Sequence, residues 1–230
     1  AVLFALNQGE ICTCPSRLLI QESIYDKFIE RVVARVNAIK AGNPLDPETM
    51  IGAQASQIQY DKILGYIKLG QEEGAELLAG GEANHLGGDI ENGYYIKPTL
   101  FKGNNNMRIF REEIFGPVLN VINVDTLDDA IKLTNENTWG NGAFLFTNSG
   151  AAARKFQHEI EPSQIGINIP IPIAPAFFSF TSNKGSFRGT NHFYGKEGVR
   201  FFTEERTITS LWRMTPEANE IAMAFPTTRH

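Results

Sequence analysis

Two cysteines, Cys12 and Cys14, are the chain's whole thiol content, and they stand two residues apart in Asn7-Gln8-Gly9-Glu10-Ile11-Cys12-Thr13-Cys14. A glycine-containing bend between an apolar segment and a strand leaves such a thiol partly exposed. The backbone N–H groups of the bend can favour a thiolate or stabilise an oxyanion. The chemistry offered is nucleophilic attack on a carbonyl. The alternative reading is two inert small hydrophobes, the usual condition of free cysteine. A metal centre is set aside, because no second cysteine pair or close histidine completes a coordination shell. Farther along, Glu112-Glu113 precede Ile114-Phe115-Gly116-Pro117. This carboxylate pair ahead of a turn either stays solvated or accepts hydrogen bonds from ligand hydroxyls. His158 and His192 have no identifiable Asp or Cys partner and are read as structural.

The elements that must hold these residues follow from periodicity. Arg17 to Gln21 reads as a short strand. Behind it, Ser23 begins a helix whose Ile24, Phe28, Val32 and Val36 recur every four residues. Pro44 and Pro47 stop it and open a loop. A second helix is expected from about Ala53 to Gly70, with Ile58, Ile63 and Ile67 on its buried face. A short strand at Ala75–Ala79 and a glycine-rich surface excursion through Gly93 follow, the latter expected to be mobile. Strands are expected at Tyr94–Phe101, Val118–Val124 and Gly142–Thr147, and helices at Leu127–Asn137 and Ala151–Ile160. Alternating strands and helices imply an α/β fold with a parallel sheet covered on both faces. After Ile165-Gly166-Ile167-Asn168, the prolines at 170, 172 and 175 and the run Phe177-Phe178-Ser179-Phe180 exclude a central strand and predict a structured loop. Arg206 to Trp212 alternates and predicts a last strand before a polar tail.

Composition narrows the partners. The chain has 230 residues, 21 Lys+Arg against 26 Asp+Glu and a formal charge of -5, so it lacks the basic footprint of a nucleic-acid or anionic-membrane binder. Its apolar runs are broken by Pro or polar residues well short of the roughly 20 a membrane helix needs. Closely spaced cysteines do not make a secreted disulfide framework, so a reducing compartment is expected. Ala1-Val2-Leu3-Phe4-Ala5-Leu6 reads like the middle of an apolar element and lacks the marks of a signal peptide, so a start farther upstream is expected.

Asn7 to Cys12 followed by Pro15-Ser16-Arg17, together with Glu112-Glu113-Ile114-Phe115-Gly116-Pro117, resembles the two hallmark motifs of the aldehyde dehydrogenase superfamily. Gly42-Asn43-Pro44, Gly52-Ala53-Gln54 and Lys62 to Ile67 resemble it as well. The part through Glu91 looks more like an acetaldehyde or broad-specificity branch. Gly166 to Pro170, Phe177 to Thr181, Ser186 to Gly189 and Phe193 to Lys196 look like the methylmalonate-semialdehyde dehydrogenase branch.

The resemblance implies that Cys12, not Cys14, is the nucleophile. It implies that Glu113 binds the nicotinamide ribose, that Phe115 packs at the nicotinamide, and that Gln54 lies toward the adenosine side. Phe177, Phe178 and Phe180 are implied as walls of an aldehyde tunnel, and Asn168 as a residue that orients substrate. The implied cofactor is NAD or NADP, with water or coenzyme A releasing the acyl group. No GxGxxG occurs in the chain, and the implied extent is the catalytic half of the family fold over residues 1–204, without its cofactor-binding domain, plus an oligomerisation strand and tail over 205–230. A homodimer or homotetramer is implied, in the cytoplasm or the mitochondrial matrix. The competing expectation is a truncated or recombined chain that keeps a reactive thiol and serves as a binding or assembly module.

Overall fold

The computed structural model describes residues 2–210 and 212. A 3-10 segment, Val2–Gly9, leads into β1 (Arg17–Gln21) and α1 (Tyr25–Asn37). Then come α2 (Gln57–Glu72), β2 (Glu76–Ala79), β3 (Thr99–Lys102), the short α3 (Arg108–Arg111) and β4 (Val118–Val124). The second part contains α4 (Leu127–Asn135), β5 (Trp139–Gly140), β6 (Gly142–Leu145), α5 (Gly150–Glu159), β7 (Gln164–Ile167), β8 (Asn183–Lys184) and α6 (Gly195–Phe201).

Four strands form the main sheet in the order β1-β4-β3-β2. β4 runs parallel to both β1 and β3, pairing Asn120 with Arg17 on one side and with Phe101 on the other. Its alternation sorts side chains between two cores. Leu119 and Val121 join Phe4, Ile20, Val32 and Val36 beneath α1 and the N-terminal segment. Val118, Ile122 and Val124 join Ile63, Ile67, Ile109 and Phe110 beneath α2 and α3. Each such side chain, once buried, contributes about 1.5–3 kcal/mol. The fold is therefore α/β with helices on both faces. A third cluster, of Ile131, Phe156 and Ile160, packs α4 and α5 together beside the parallel pair β6 and β7.

The structure departs from the sequence expectations at several places. The sheet is mixed, because β2 runs antiparallel to β3. The two are joined by an excursion without a crossover helix, and a parallel return needs such a crossover. Tyr94–Phe101 narrows to β3 because Pro98 supplies no N–H to a ladder. Ser23 lies in a 3-10 turn and does not cap α1. Ile24 and Phe28 are consequently exposed, while Val32 and Val36 are buried. Helix α2 begins four residues later than expected, behind Ser56, whose Oγ accepts from Gln59 N. Ile58 in its first turn is 83% exposed.

Gly142–Thr147 closes as a strand at Leu145, and Leu127–Asn137 ends as a helix at Asn135. The expected strand over 206–212 is absent at 206–210 and 212, since no described segment pairs with it; Leu211 lies outside the described residues, as do 213–230. Among the described residues no helix is long and apolar enough to cross a membrane, and no group of three or more His, Cys, Asp or Glu could hold a metal ion.

Candidate active site

The nucleophile segment is shaped by three consecutive residues in the left-handed region: Asn7 (φ 49), Gln8 (φ 56) and Gly9 (φ 76). Only glycine fits at the third position. A Cβ built on Gly9 would lie 2.2 Å from the carbonyl carbon of Gly116 and 2.6 Å from Pro117 N, so the two hallmark segments meet main chain to main chain. Gly116 is similarly confined, because a Cβ there would come within 2.5 Å of Ile63 on α2. The loop ahead of α2 braces the bend. Gln8 Oε1 accepts from Gly52 N at 3.3 Å, and the Glu10 carboxylate accepts from Ala55 N at 3.2 Å.

The bend leaves Cys12 exposed and Cys14 half-buried. The Cys14 thiol donates toward the Leu6 carbonyl at 3.5 Å. Burial is the leading cause that pushes the Cys14 thiol's pKa up, with the Ile11 backbone bond acting weakly against it. Among the described residues the Cys12 N–H has no acceptor, so it remains an available donor beside the thiol.

The second motif divides its two carboxylates between two environments. Glu112 is engaged. Arg108 Nε donates to its Oε1 at 2.7 Å and Arg108 Nη2 to its Oε2 at 3.0 Å, and Tyr66 Oη also donates to Oε2, at 2.7 Å. These bonds, Arg108's first and then Tyr66's, hold the Glu112 carboxyl below the usual range, and burial raises the Tyr66 hydroxyl above its own. Glu113 is exposed and has no hydrogen-bond or ion-pair partner among the described residues, so both of its oxygens are unspent. Phe115 takes φ 57, a strained value for an aromatic residue. It is held there by Gln59 Nε2, which donates to its carbonyl, and by its neighbours Ile114 and Gly116, both buried.

Cys12, Glu113 and Phe115 line one cleft of ≈ 530 Å³, together with Thr13, Arg17 and Asn141. The other expected site residues do not line it. Gln54 is 4% exposed and precedes α2; its Nε2 donates to the Gln8 carbonyl at 3.4 Å and its own N–H to Tyr94 O, so it braces the nucleophile bend from behind. Asn168, at the end of β7, spends its amide on Thr147: Oδ1 accepts from Thr147 N at 2.9 Å and Nδ2 donates to Thr147 O at 3.1 Å. Phe177 is 73% exposed and packs on Phe178 with ring centres 4.8 Å apart. Phe180 stacks on Phe193 at 5.1 Å.

Sequence reasoning missed Asn141, whose Nδ2 donates to the Cys12 carbonyl at 2.8 Å. Its one sequence signal is its place between Gly140 and Gly142, where a polar residue in a tight turn faces backbone. Gln59, Tyr66 and Arg108 were missed because their roles exist only once α2 and α3 pack against the second motif.

The aldehyde dehydrogenase family profile matches residues 2–208. An aldehyde dehydrogenase of Rhodospirillum rubrum is 54% identical over 83% of this chain and 38% of that protein. Acetaldehyde dehydrogenase 2 of Cupriavidus necator is 55% identical over 72% of this chain and 33% of that protein. The chain thus spans between a third and two fifths of the length of these curated relatives. Among solved structures, methylmalonate-semialdehyde dehydrogenase of Oceanimonas doudoroffii superposes with a TM-score of 0.87 at 32% identity, covering 93% of this chain and 44% of that one. Mycobacterium tuberculosis aldehyde dehydrogenase complexed with NAD+ gives 0.80 at 35% identity, over 87% and 40%. With both hallmark segments meeting in one cleft and a family match across nearly its whole described length, the chain belongs to the aldehyde dehydrogenase family.

Proposed function

We propose that residues 1–204 form the thiol-bearing catalytic unit of an NAD(P)-dependent aldehyde-oxidising enzyme, with 205–230 serving subunit association. One observation carries this reading: the contact of Gly9 with Gly116 brings an exposed Cys12, a Glu113 without a partner among the described residues, and Phe115 to one cleft. The Cys12 thiolate attacks the aldehyde carbon, forming an S–C bond while the carbonyl electron pair moves to oxygen. The free Cys12 N–H is placed to donate to that oxyanion. Glu113 suits the paired hydroxyls of a ribose, since a carboxylate accepts from both, and Phe115 offers a flat ring its apolar face. The nicotinamide cofactor, when bound, supplies hydride acceptance. The thioester left on Cys12 is released to water as a carboxylic acid or to coenzyme A as an acyl-CoA.

The NAD+ complex of the tuberculosis relative supports NAD as the cofactor. Relatives named for acetaldehyde and methylmalonate semialdehyde support a small aldehyde. For Gln54 we propose the bracing role its contacts describe; for Asn168, a clamp across the ends of β6 and β7; and for Phe177 and Phe180, an aromatic wall outside the cleft. The test is formation of reduced cofactor, read by its near-ultraviolet absorbance, from propanal, acetaldehyde or malonate semialdehyde with NAD or NADP, each with and without coenzyme A. A parallel measurement asks whether aldehyde protects Cys12 from alkylation. Turnover lost in Cys12→Ser, with protection in the parent chain, is the expected result. Turnover undiminished in that variant, or a Cys12 that no aldehyde protects, overturns the reading.

A further inference from the structure

Cys12 lies between two peptide planes, each pinned by its own hydrogen bond. The Ile11 carbonyl, in the plane before it, accepts from Cys14 N at 3.0 Å within the bend. The Cys12 carbonyl, in the plane after it, accepts from Asn141 Nδ2 at 2.8 Å, across 129 residues of sequence. Because peptide units are rigid, fixing both planes fixes the φ and ψ of Cys12 and so the direction of its Cα–Cβ bond relative to its own N–H.

Asn141 is oriented in turn. Gln164 Nε2 donates to Asn141 Oδ1 at 3.3 Å, and Gln164 N donates to the Asn141 carbonyl at 3.2 Å. With its oxygen committed to Gln164, the amide presents its NH2 end to Cys12. Gln164 opens β7 at 5% exposure, opposite Gly142 in the ladder, so this relay is rooted in a buried strand and not in a surface loop.

We propose that Asn141, braced by Gln164, is a positioning residue for the nucleophile: it sets the Cys12 N–H where negative charge develops on the substrate oxygen. The inference rests on the reading of Cys12 as an acyl-accepting thiol. It assigns work to the β5–β6 junction, which neither hallmark motif includes.

The test separates oxyanion orientation from simple thiol exposure, using two probes of the same sulfur and no cofactor. With p-nitrophenyl acetate, the thiolate forms an S–C bond to the acetyl carbon and p-nitrophenolate leaves, through a tetrahedral oxyanion. With iodoacetamide, displacement of iodide involves no oxyanion. Asn141→Asp keeps the shape of the side chain but places an acceptor against the Cys12 carbonyl, and Asn141→Leu removes the bond altogether.

In both variants the acylation rate at Cys12 is expected to fall about three- to tenfold. Alkylation, compared at a pH where the thiol is fully ionised so that the new carboxylate's effect on its titration drops out, is expected to change by less than about twofold. Gln164→Leu should move acylation in the same direction by less, and Asn141→Asp should keep the parent's circular-dichroism spectrum and unfold cooperatively. Should Asn141→Leu fail to fold, Asn141→Asp alone decides. Acylation at the parent rate in Asn141→Asp, or acylation and alkylation falling together, overturns the positioning role while leaving the nucleophile reading intact. Acylation at Cys14 instead of Cys12 in the parent chain overturns both.

Discussion

Cys12 and Cys14 share a bend yet have different surroundings, one open to the cleft and the other half-buried with its thiol against the Leu6 carbonyl. Burial that raises the Cys14 pKa keeps that thiol protonated near neutral pH, and the thiolate is the reactive form. Brief, limiting iodoacetamide followed by peptide mass mapping is therefore expected to label Cys12 first. Labelling of Cys14 ahead of it would contradict the assignment.

The two glutamates of the second motif make a matching contrast. Glu112 is held by Arg108 and Tyr66, and its folded pKa lies below the usual carboxylate range. A group so lowered contributes stability at pH above its unfolded pKa, and that contribution is lost as pH falls through the folded value. Glu112→Gln should thus lower the thermal midpoint at neutral pH, by an amount that shrinks as the solution is acidified through and below the usual carboxylate range. A gap between variant and parent that is constant across that range would show that the ion pair contributes nothing pH-dependent. Because the carboxylate is 38% exposed, solvent screening keeps the effect modest.

Among the elements, Gly9 joins the two hallmark segments by main chain against main chain. Gly9→Ala combines a left-handed backbone with a side-chain carbon 2.2 Å from Gly116. It should destabilise the chain by more than about 2 kcal/mol and lower Cys12 labelling selectivity, checked by urea unfolding and mass mapping. A wild-type midpoint would mean that the two segments do not meet as described.

The same scale shows what the sequence made legible. β4 was readable because its apolar run is bounded by Gly116-Pro117 and Asp125-Thr126 and both faces meet apolar partners, and α4 because Thr126 and Asp129 form a capping box. Cys12, Glu113 and Phe115 were readable as a set because each lies in a contiguous motif. Asn141 was not, since its partner is distant in the chain, nor was the engagement of Gln54, whose burial depends on the bend folding back over it. Ile24 and Ile58 were misassigned to buried faces because helical period alone does not fix where a helix begins.

The molecule as a whole carries much apolar surface toward its C-terminal end. Phe177, Phe178, Phe201 and Phe202 are each at least 60% exposed. Phe177 packs on Phe178 and Phe201 on Phe202, and exposed aromatic side chains grouped in this way mark association. Size-exclusion chromatography with light scattering at micromolar concentration is expected to give a mass above that of one chain; a clean monomer would contradict it.

The bond between Asn141 and Cys12 also has a consequence in time. A site tied together across 129 residues cannot form during synthesis until Asn141 and the β7 strand behind it have emerged. Until then Cys12 lacks the bond from Asn141 to its carbonyl. The bond that orients the Cys12 main chain is thus acquired only once β6 and β7 have emerged, and a chain stalled before them holds the sulfur without that bond.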